Sequence, residues 1–354
     1  MARASRATGG HPTPDPSPPP PSADVQRPLP AGTRVAVLIP CYDEEQTIGR
    51  VVEAFRATLP EATVYVYDNN STDRTREVAR SAGAVVGNES LQGKGNVVRR
   101  MFGDVEADVY VLVDGDDTYD AAGAPILVGR LLDEGLDMVA AARAEHSVQA
   151  YRLGHCFGNV MLTRLVAWIF GDRFRDMLSG YKVFSRRFVK SFPALATGFE
   201  IETELTIHAL ELRMPVAEVE TPYRSRPSGS NSKLSTIRDG FRILKTIGLL
   251  VKEERPLQFF FLLFLLLVAV SVGLAWPILL EFLETGLVPR FPTAILATGI
   301  MLLAFLSLVS GLILDTVTLG RREMKRMWYL SIPGPGAASA PRQQRRKTAP
   351  RSHP

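Results

Sequence analysis

Residues 109–120 read VYVLVDGDDTYD, an apolar run that ends in the carboxylates Asp114, Asp116, Asp117 and Asp120. Crowding negative charge at the end of a buried strand is unfavourable unless something positive sits there. A calcium EF-hand loop needs glutamate at its twelfth position. Counted from Asp114 that position is Pro125, which excludes it. A glycosidase acid/base pair places carboxylates on either side of the scissile bond, and does not need two at one strand end. A third chemistry is a divalent metal bridging a bound diphosphate. Mg²⁺ or Mn²⁺ takes oxygen ligands, often one or two carboxylates plus phosphate oxygens. The structural alternative is a helix-capping turn after a strand.

The elements that must position these residues begin at Arg34. VAVLI at 35–39 reads as a buried strand ended by Pro40. Residues 43–58 carry Ile48, Val51, Val52 and Phe55 at helical spacing. TVYVY at 63–67 is the next strand, and Ser71, Thr72 and Asp73 are placed to cap a helix. AVV at 84–86, a helix over 97–102, VYVLV at 109–113, a helix over about 122–134 and a strand at 138–142 continue the alternation. This predicts an α/β layered fold with a mostly parallel sheet. Ligands then bind beyond the carboxyl ends of the strands, so residues 40–44, 68–70 and 114–117 share one rim.

Beyond residue 151 the pattern changes. Residues 156–170 and 199–213 read as helices, the second amphipathic, and 222–232 as a polar loop. Residues 235–252 form a basic amphipathic helix suited to a membrane interface. Leu257 to Leu280 and Phe291 to Leu314 carry no charge and are long enough to span a hydrocarbon core of about 30 Å. Basic residues stand before the first run (Arg238, Arg242, Lys245, Lys252, Arg255) and after the second (Arg321, Arg322, Lys325, Arg326). Arg290 alone stands between them, so both termini are expected in the cytoplasm. The expected organisation is a Pro-rich disordered tail over 1–32, a catalytic domain over 33–234, a juxtamembrane helix over 235–256, a two-helix hairpin over 257–316, and a basic, largely disordered tail over 317–354. Apolar residues make up 46% of the chain, charged residues 22%, and the net charge is +4. The basic groups cluster beside the apolar runs, which disfavours a nucleic-acid binder. Cys41 and Cys156 form no CxxC pair, which argues against a zinc site or disulfide framework and fits a reducing cytosol.

IPCYDEE at 39–45, YDNNSTD at 67–73, QGKGN at 92–96 and VDGDD at 113–117 occur in that order, each at a predicted strand end or helix start. Together they resemble the glycosyltransferases of family two, which have the GT-A (Rossmann-like) fold and the patterns P-x-Y-N-E, D-D-x-S-x-D, G-K-G and D-x-D. Asp43 stands where Asn is usual, and Asn69 where a second Asp is common. RDMLSGYKVFSR at 175–186, FEIETEL at 199–205 and YRSRPSGSNSK at 223–233, followed by two spans, resemble the polyprenyl-phosphate branch. That branch includes dolichol-phosphate mannose synthase and the bacterial undecaprenyl-phosphate glucosyltransferases.

The resemblance implies that Pro40, Tyr42, Glu44 and Asp68 line the nucleotide pocket, with Asp68 near the base. It implies that Asp114 meets ribose or metal and that Asp116 holds the metal. Lys94 is a candidate for a phosphate, although this is no P-loop: Gly95 follows it, not Ser or Thr. A solvated lysine is the alternative. A lipid phosphate acceptor needs cations, and Arg224, Arg226 and Lys233 supply them in a loop with Ser230 and other small residues. Asp176 is the candidate catalytic carboxylate, with a helix cap as its alternative. A phosphate with a second pKa of about 6 is largely ionised near pH 7, so Asp176 has more to orient than to deprotonate. Arg143 is a weaker candidate for the donor phosphate. His155 and His208 read as packed. The implied reaction is a single inverting displacement in which the lipid phosphate attacks the anomeric carbon of a UDP- or GDP-sugar, aided by Mg²⁺ or Mn²⁺, with a homo-oligomer expected by analogy. The rivals are a processive polysaccharide synthase, whose Q-x-x-R-W motif has a near miss in QAYRL at 149–153, and a non-catalytic nucleotide-sugar-binding scaffold.

Overall fold

The computed structural model describes residues 30, 32–143, 176–198, 200–224, 252 and 255–335. The predicted helix at 156–170, that at 235–252 except for Lys252, the QAYRL segment, His155, Arg226, Ser230, Lys233 and both predicted tails beyond these limits lie outside the described residues.

Seven strands form one sheet: β1 Val35–Cys41, β2 Thr63–Asp68, β3 Val85–Asn88, β4 Val109–Leu112, β5 Met138–Arg143, β6 Lys182–Ser185 and β7 Val216–Thr221. Their order is β3-β2-β1-β4-β6-β5-β7. β6 runs antiparallel to both its neighbours and the other pairings are parallel. β1 passes through Pro40 instead of ending before it. β4 pairs with β1 only as far as Leu38, and residues 38 and 40 face the same side. The missing N–H of Pro40 therefore falls where no partner strand needs it.

Helices cover both faces: α1 Ile48–Thr58, α2 Thr75–Ser81, α3 Lys94–Asp104, α4 Ala124–Asp133, α5 Arg186–Ser191 and α6 Ile201–Glu211. Side chains alternate between the two cores although the strands are buried throughout. Ala36, Leu38, Tyr110 and Leu112 face the core shared with α3, α5 and α6, whereas Val37, Ile39, Val109 and Val111 face the core shared with α1 and α4. The core positions expected of the first helix, Ile48, Val51, Val52 and Phe55, are all buried. α6 corrects the amphipathic expectation: Glu202, Thr203, Thr206 and His208 are buried with its apolar residues.

Two long helices follow, α7 Pro256–Thr285 and α8 Phe291–Ser331. Both are long and apolar enough to cross a membrane. Leu262, Leu266, Leu283, Leu302 and Leu306 stand more than 60% exposed, a surface that lipid covers and water does not. Ser271 Oγ donates to the Ala297 carbonyl at 2.7 Å and Ser307 Oγ to the Phe260 carbonyl at 3.2 Å, which ties the hairpin together. At about 1.5 Å per residue, the 41 residues of α8 greatly exceed the membrane core. The expected disorder from residue 317 is thus corrected as far as Ser331. The helix continues because its far end has a protein surface to pack on. Tyr329 Oη donates to Asp137 Oδ2 at 2.8 Å, its ring lies 4.7 Å from the Arg187 guanidinium, and Lys325 pairs with Glu211 at 2.7 Å.

Candidate active site

Three neighbouring strands deliver the predicted rim, and each ends in a sharp turn. Asp43 after β1, Asn70 after β2 and Asp117 after β4 have φ values of 51°, 64° and 59°. Asp and Asn tolerate this left-handed region better than other side chains bearing Cβ. The two departures from the family pattern have structural partners here. Asp43 Oδ1 accepts from the Thr72 N–H at 2.8 Å. Asn69 Nδ2 donates to the carbonyls of Glu89 and Leu91, while its Oδ1 accepts from Gly93 N–H at 2.7 Å. Aspartate could not make the two donations. Ser71 accepts from Asp43 N–H and Thr72 donates to Asp43, so these two lock the β1 and β2 turns together. Asp73 accepts from Thr75 N–H at the start of α2.

Asp68 is fully buried at the end of β2. Its Oδ2 accepts from Arg76 Nε at 2.6 Å and from Ser71 N–H at 3.1 Å. Its Oδ1 is buried with no hydrogen-bond partner, an orphan acceptor that a ligand donor would satisfy. Pro40, Tyr42 and Glu44 line the same rim, and Glu44 accepts from Thr47 Oγ1 at 3.2 Å.

The carboxylates of the DGDD segment divide. Asp117 turns away and pairs with Arg50 at 3.0 Å. Asp116 is 3% exposed, and its Oδ1 accepts from the Thr118 hydroxyl at 2.6 Å and the Thr118 N–H at 3.2 Å. Asp114 Oδ1 accepts from Lys94 Nζ at 2.5 Å. Burial pushes the Asp114 carboxyl up, and Glu202 and Asp116 add to this against the pull of Lys94. Lys94 is not the solvated lysine of the alternative reading. Burial disfavours its charge, but Asp114 and Glu202 outweigh that and hold it protonated. The flanking glycines explain how it gets there: Gly93 has φ 129°, and a Cβ at Gly95 would collide with the Ala196 carbonyl.

Asp176 and Arg143, predicted apart in role, form one bidentate pair with contacts of 2.6 and 2.8 Å. Burial opposes the charge on Asp176, but the Arg143 hydrogen bonds hold its carboxyl below the usual range. That suits an orienting carboxylate better than a base. Arg224 is exposed, pairs with Asp120 at 3.2 Å, and donates its N–H to the Thr118 carbonyl at 2.9 Å. A bridge between Tyr119 and Tyr223 completes this stitch. The start of the basic loop therefore lies beside the carboxylate turn.

His208 is packed as expected, with Ser191 Oγ 3.1 Å from its Nε2. Sequence reasoning missed Glu202 and Lys182 as members of the site. The available signal for Lys182 was a charge in the otherwise apolar stretch GYKVF, whereas Glu202 stands beside Thr203 and Glu204 in IETEL and gave none. It missed Arg76 and Arg50 altogether, since an arginine on a helix surface carries no spacing signal.

Among the described residues no group of three or more His, Cys, Asp or Glu is placed to hold a metal ion. Asp114 and Asp116, two residues apart at one strand end, nevertheless fit a hard cation whose remaining ligands come from a bound diphosphate.

Residues 36–190 match the family model described as Glycosyl transferase family 2. The chain is 34% identical over 304 residues to Glycosyltransferase AglJ of Haloferax volcanii, covering 84% of this chain and 99% of that protein. It is 31% identical over 223 residues to a Dolichyl-phosphate hexose transferase of the same organism, covering 62% and 95%. Among solved structures, glucosyl-3-phosphoglycerate synthase from Mycobacterium tuberculosis, in complex with Mn²⁺, UDP and glucosyl-3-phosphoglycerate, aligns with a TM-score of 0.51 at 25% identity. That alignment covers 61% of this chain and 80% of that one. The fold and rim are those of a GT-A enzyme that uses a nucleotide-diphosphate sugar. The chain belongs to glycosyl transferase family 2.

Proposed function

We propose that this enzyme transfers a monosaccharide from a UDP- or GDP-sugar to a polyprenyl phosphate at the cytoplasmic face of the cell membrane, yielding a polyprenyl-phosphate sugar. The observation that carries this reading is α8, one continuous helix that leaves the apolar hairpin and docks on the catalytic domain. Its contacts, Asp137 just before β5 and Glu211 at the end of α6, lie at the sheet end opposite the rim. The anchor thus holds the domain at the membrane without covering the site. The basic flanks support a cytoplasmic catalytic domain. The similarity to a dolichyl-phosphate hexose transferase supports a lipid phosphate acceptor.

Asp68 offers its orphan oxygen to the base. Asp114 and Asp116 would hold Mg²⁺ or Mn²⁺, with Asp116 fixed in aim by Thr118. When bound, the metal offsets the charge that develops on the departing nucleoside diphosphate. Arg224, with Arg226, Ser230 and Lys233, receives the acceptor phosphate. Asp176, clamped by Arg143, orients the acceptor oxygen toward the anomeric carbon. The carbon–oxygen bond to the donor breaks as the new one forms, with inversion.

The test is purified full-length protein with Mn²⁺ or Mg²⁺, undecaprenyl phosphate and a panel of radiolabelled nucleotide sugars. Label is expected in the organic phase with one donor. Donor binding without lipid product would point to a scaffold, and a polymeric product to a processive synthase.

A further inference from the structure

The Lys94–Asp114 contact, half-buried at the rim, is one end of a chain of charge that runs into the core. Lys94 Nζ also pairs with Glu202. The other oxygen of Glu202 accepts from Lys182 Nζ at 3.2 Å. Lys182 is 1% exposed and Glu202 5%. Lys182 Nζ donates further to the carbonyls of Met177, at 3.3 Å, and Ser179. Both carbonyls belong to the segment 176–181, which carries Asp176. Gly180 of that segment lies against Asp114 so closely that a side chain there would meet the carboxylate. The chain of contacts therefore starts at Asp114 and returns to it.

Two lysines and two carboxylates balance in charge. Glu202 and Lys182 are almost fully withdrawn from water, and desolvating such ions is costly before pairing. Apolar side chains of similar volume would hold α6 on the sheet as well. What apolar side chains could not do is pass a change at Asp114 to the segment 176–181. When Asp114 turns toward a bound donor, Lys94 leans on Glu202. Glu202 then gives less to Lys182, and Lys182 holds the Met177 and Ser179 carbonyls more tightly.

We propose that Glu202 is a positioning residue that, through Lys94 and Lys182, couples the donor-side carboxylate Asp114 to the segment carrying Asp176. Donor binding then orders the acceptor side before transfer. The inference rests on reading Asp114 as a donor-side group.

Hydrogen–deuterium exchange on the full-length protein in detergent, with Mn²⁺ and with or without UDP, tests it and needs no acceptor. In the wild type, UDP is expected to slow exchange by about tenfold both at residues 35–45 and at 177–184, a size ordinary for coupling between sites. Glu202→Gln should keep the effect at 35–45 and lose it at 177–184. Lys182→Met, which cuts the chain on the other side of Glu202, should do the same. If either variant fails to fold, the wild-type response and the other variant decide. No slowing at 177–184 in the wild type, or slowing that survives in both variants, overturns the coupling while leaving the donor site intact. Failure of both UDP and GDP to slow 35–45 overturns the donor-site reading, and the coupling with it.

Discussion

At the scale of single residues, the site separates groups that face substrate from groups that hold them. Asp116, the proposed metal carboxylate, accepts from the Thr118 hydroxyl, which fixes its aim. Asp116→Asn should lower turnover by about a hundredfold or more while leaving the fold intact, read as label transfer against the thermal midpoint. Asp176 carries the pH prediction. Its carboxyl lies below the ordinary 3.8 because Arg143 outweighs the effect of burial. A depressed acid stays ionised until the pH falls through its folded value, so Asp176 gives no acid limb above about pH 4. A kcat profile should be flat from this source between pH 5 and 8, and a limb near 6 that vanishes in Asp176→Asn would contradict it. The sequence made Asp114, Asp116 and Asp176 legible because acidic residues at strand ends stand out. It could not show that Arg143 and Asp176 are partners, since 33 positions separate them and only the sheet brings them together.

At the scale of elements, the strand–turn–helix alternation from β1 to β5 was readable because a buried strand and a helix face differ in period. β6 and β7 were not: β6 opens on the charged Lys182, and β7 carries two glutamates and is mostly half-buried, so neither shows a clean apolar run. α6 misled because its buried face includes charged and polar residues whose partners are distant in sequence. One of them, His208, makes α6 sensitive to acid. Burial lowers its pKa from 6.5 to about 3, and Lys325 adds to the effect. The unfolded chain therefore binds a proton below pH 6.5 that the folded chain refuses until about pH 3, so stability falls as pH drops through that window. Between pH 7 and pH 5 the loss should be about 2 kcal/mol. Thermal unfolding at both pH values should show it in the wild type and much less of it in His208→Gln.

At the scale of the whole molecule, catalytic domain and hairpin form one body through the far end of α8. The central contact is Asp137, which is fully buried and takes Arg187 Nη2 at 2.7 Å, Tyr329 Oη at 2.8 Å and Ser185 Oγ at 2.6 Å. Arg187→Met leaves that charge short of its cation and should destabilise the protein by about 3 kcal/mol, visible as a lowered thermal midpoint in detergent. The apolar spans were plain in the sequence. The docked extension was not, because residues 317–331 read as a basic flank until Glu211, Asp137 and Arg187 stand opposite them.

On the proposed function, membrane tethering serves a lipid phosphate acceptor. The most direct measurement places the enzyme in liposomes with one labelled nucleotide sugar, undecaprenyl phosphate in the bilayer and 3-phosphoglycerate in the buffer. Label is expected to enter the lipid phase, with little on the water-soluble phosphate. Label accumulating on 3-phosphoglycerate while the lipid stays unlabelled would contradict it.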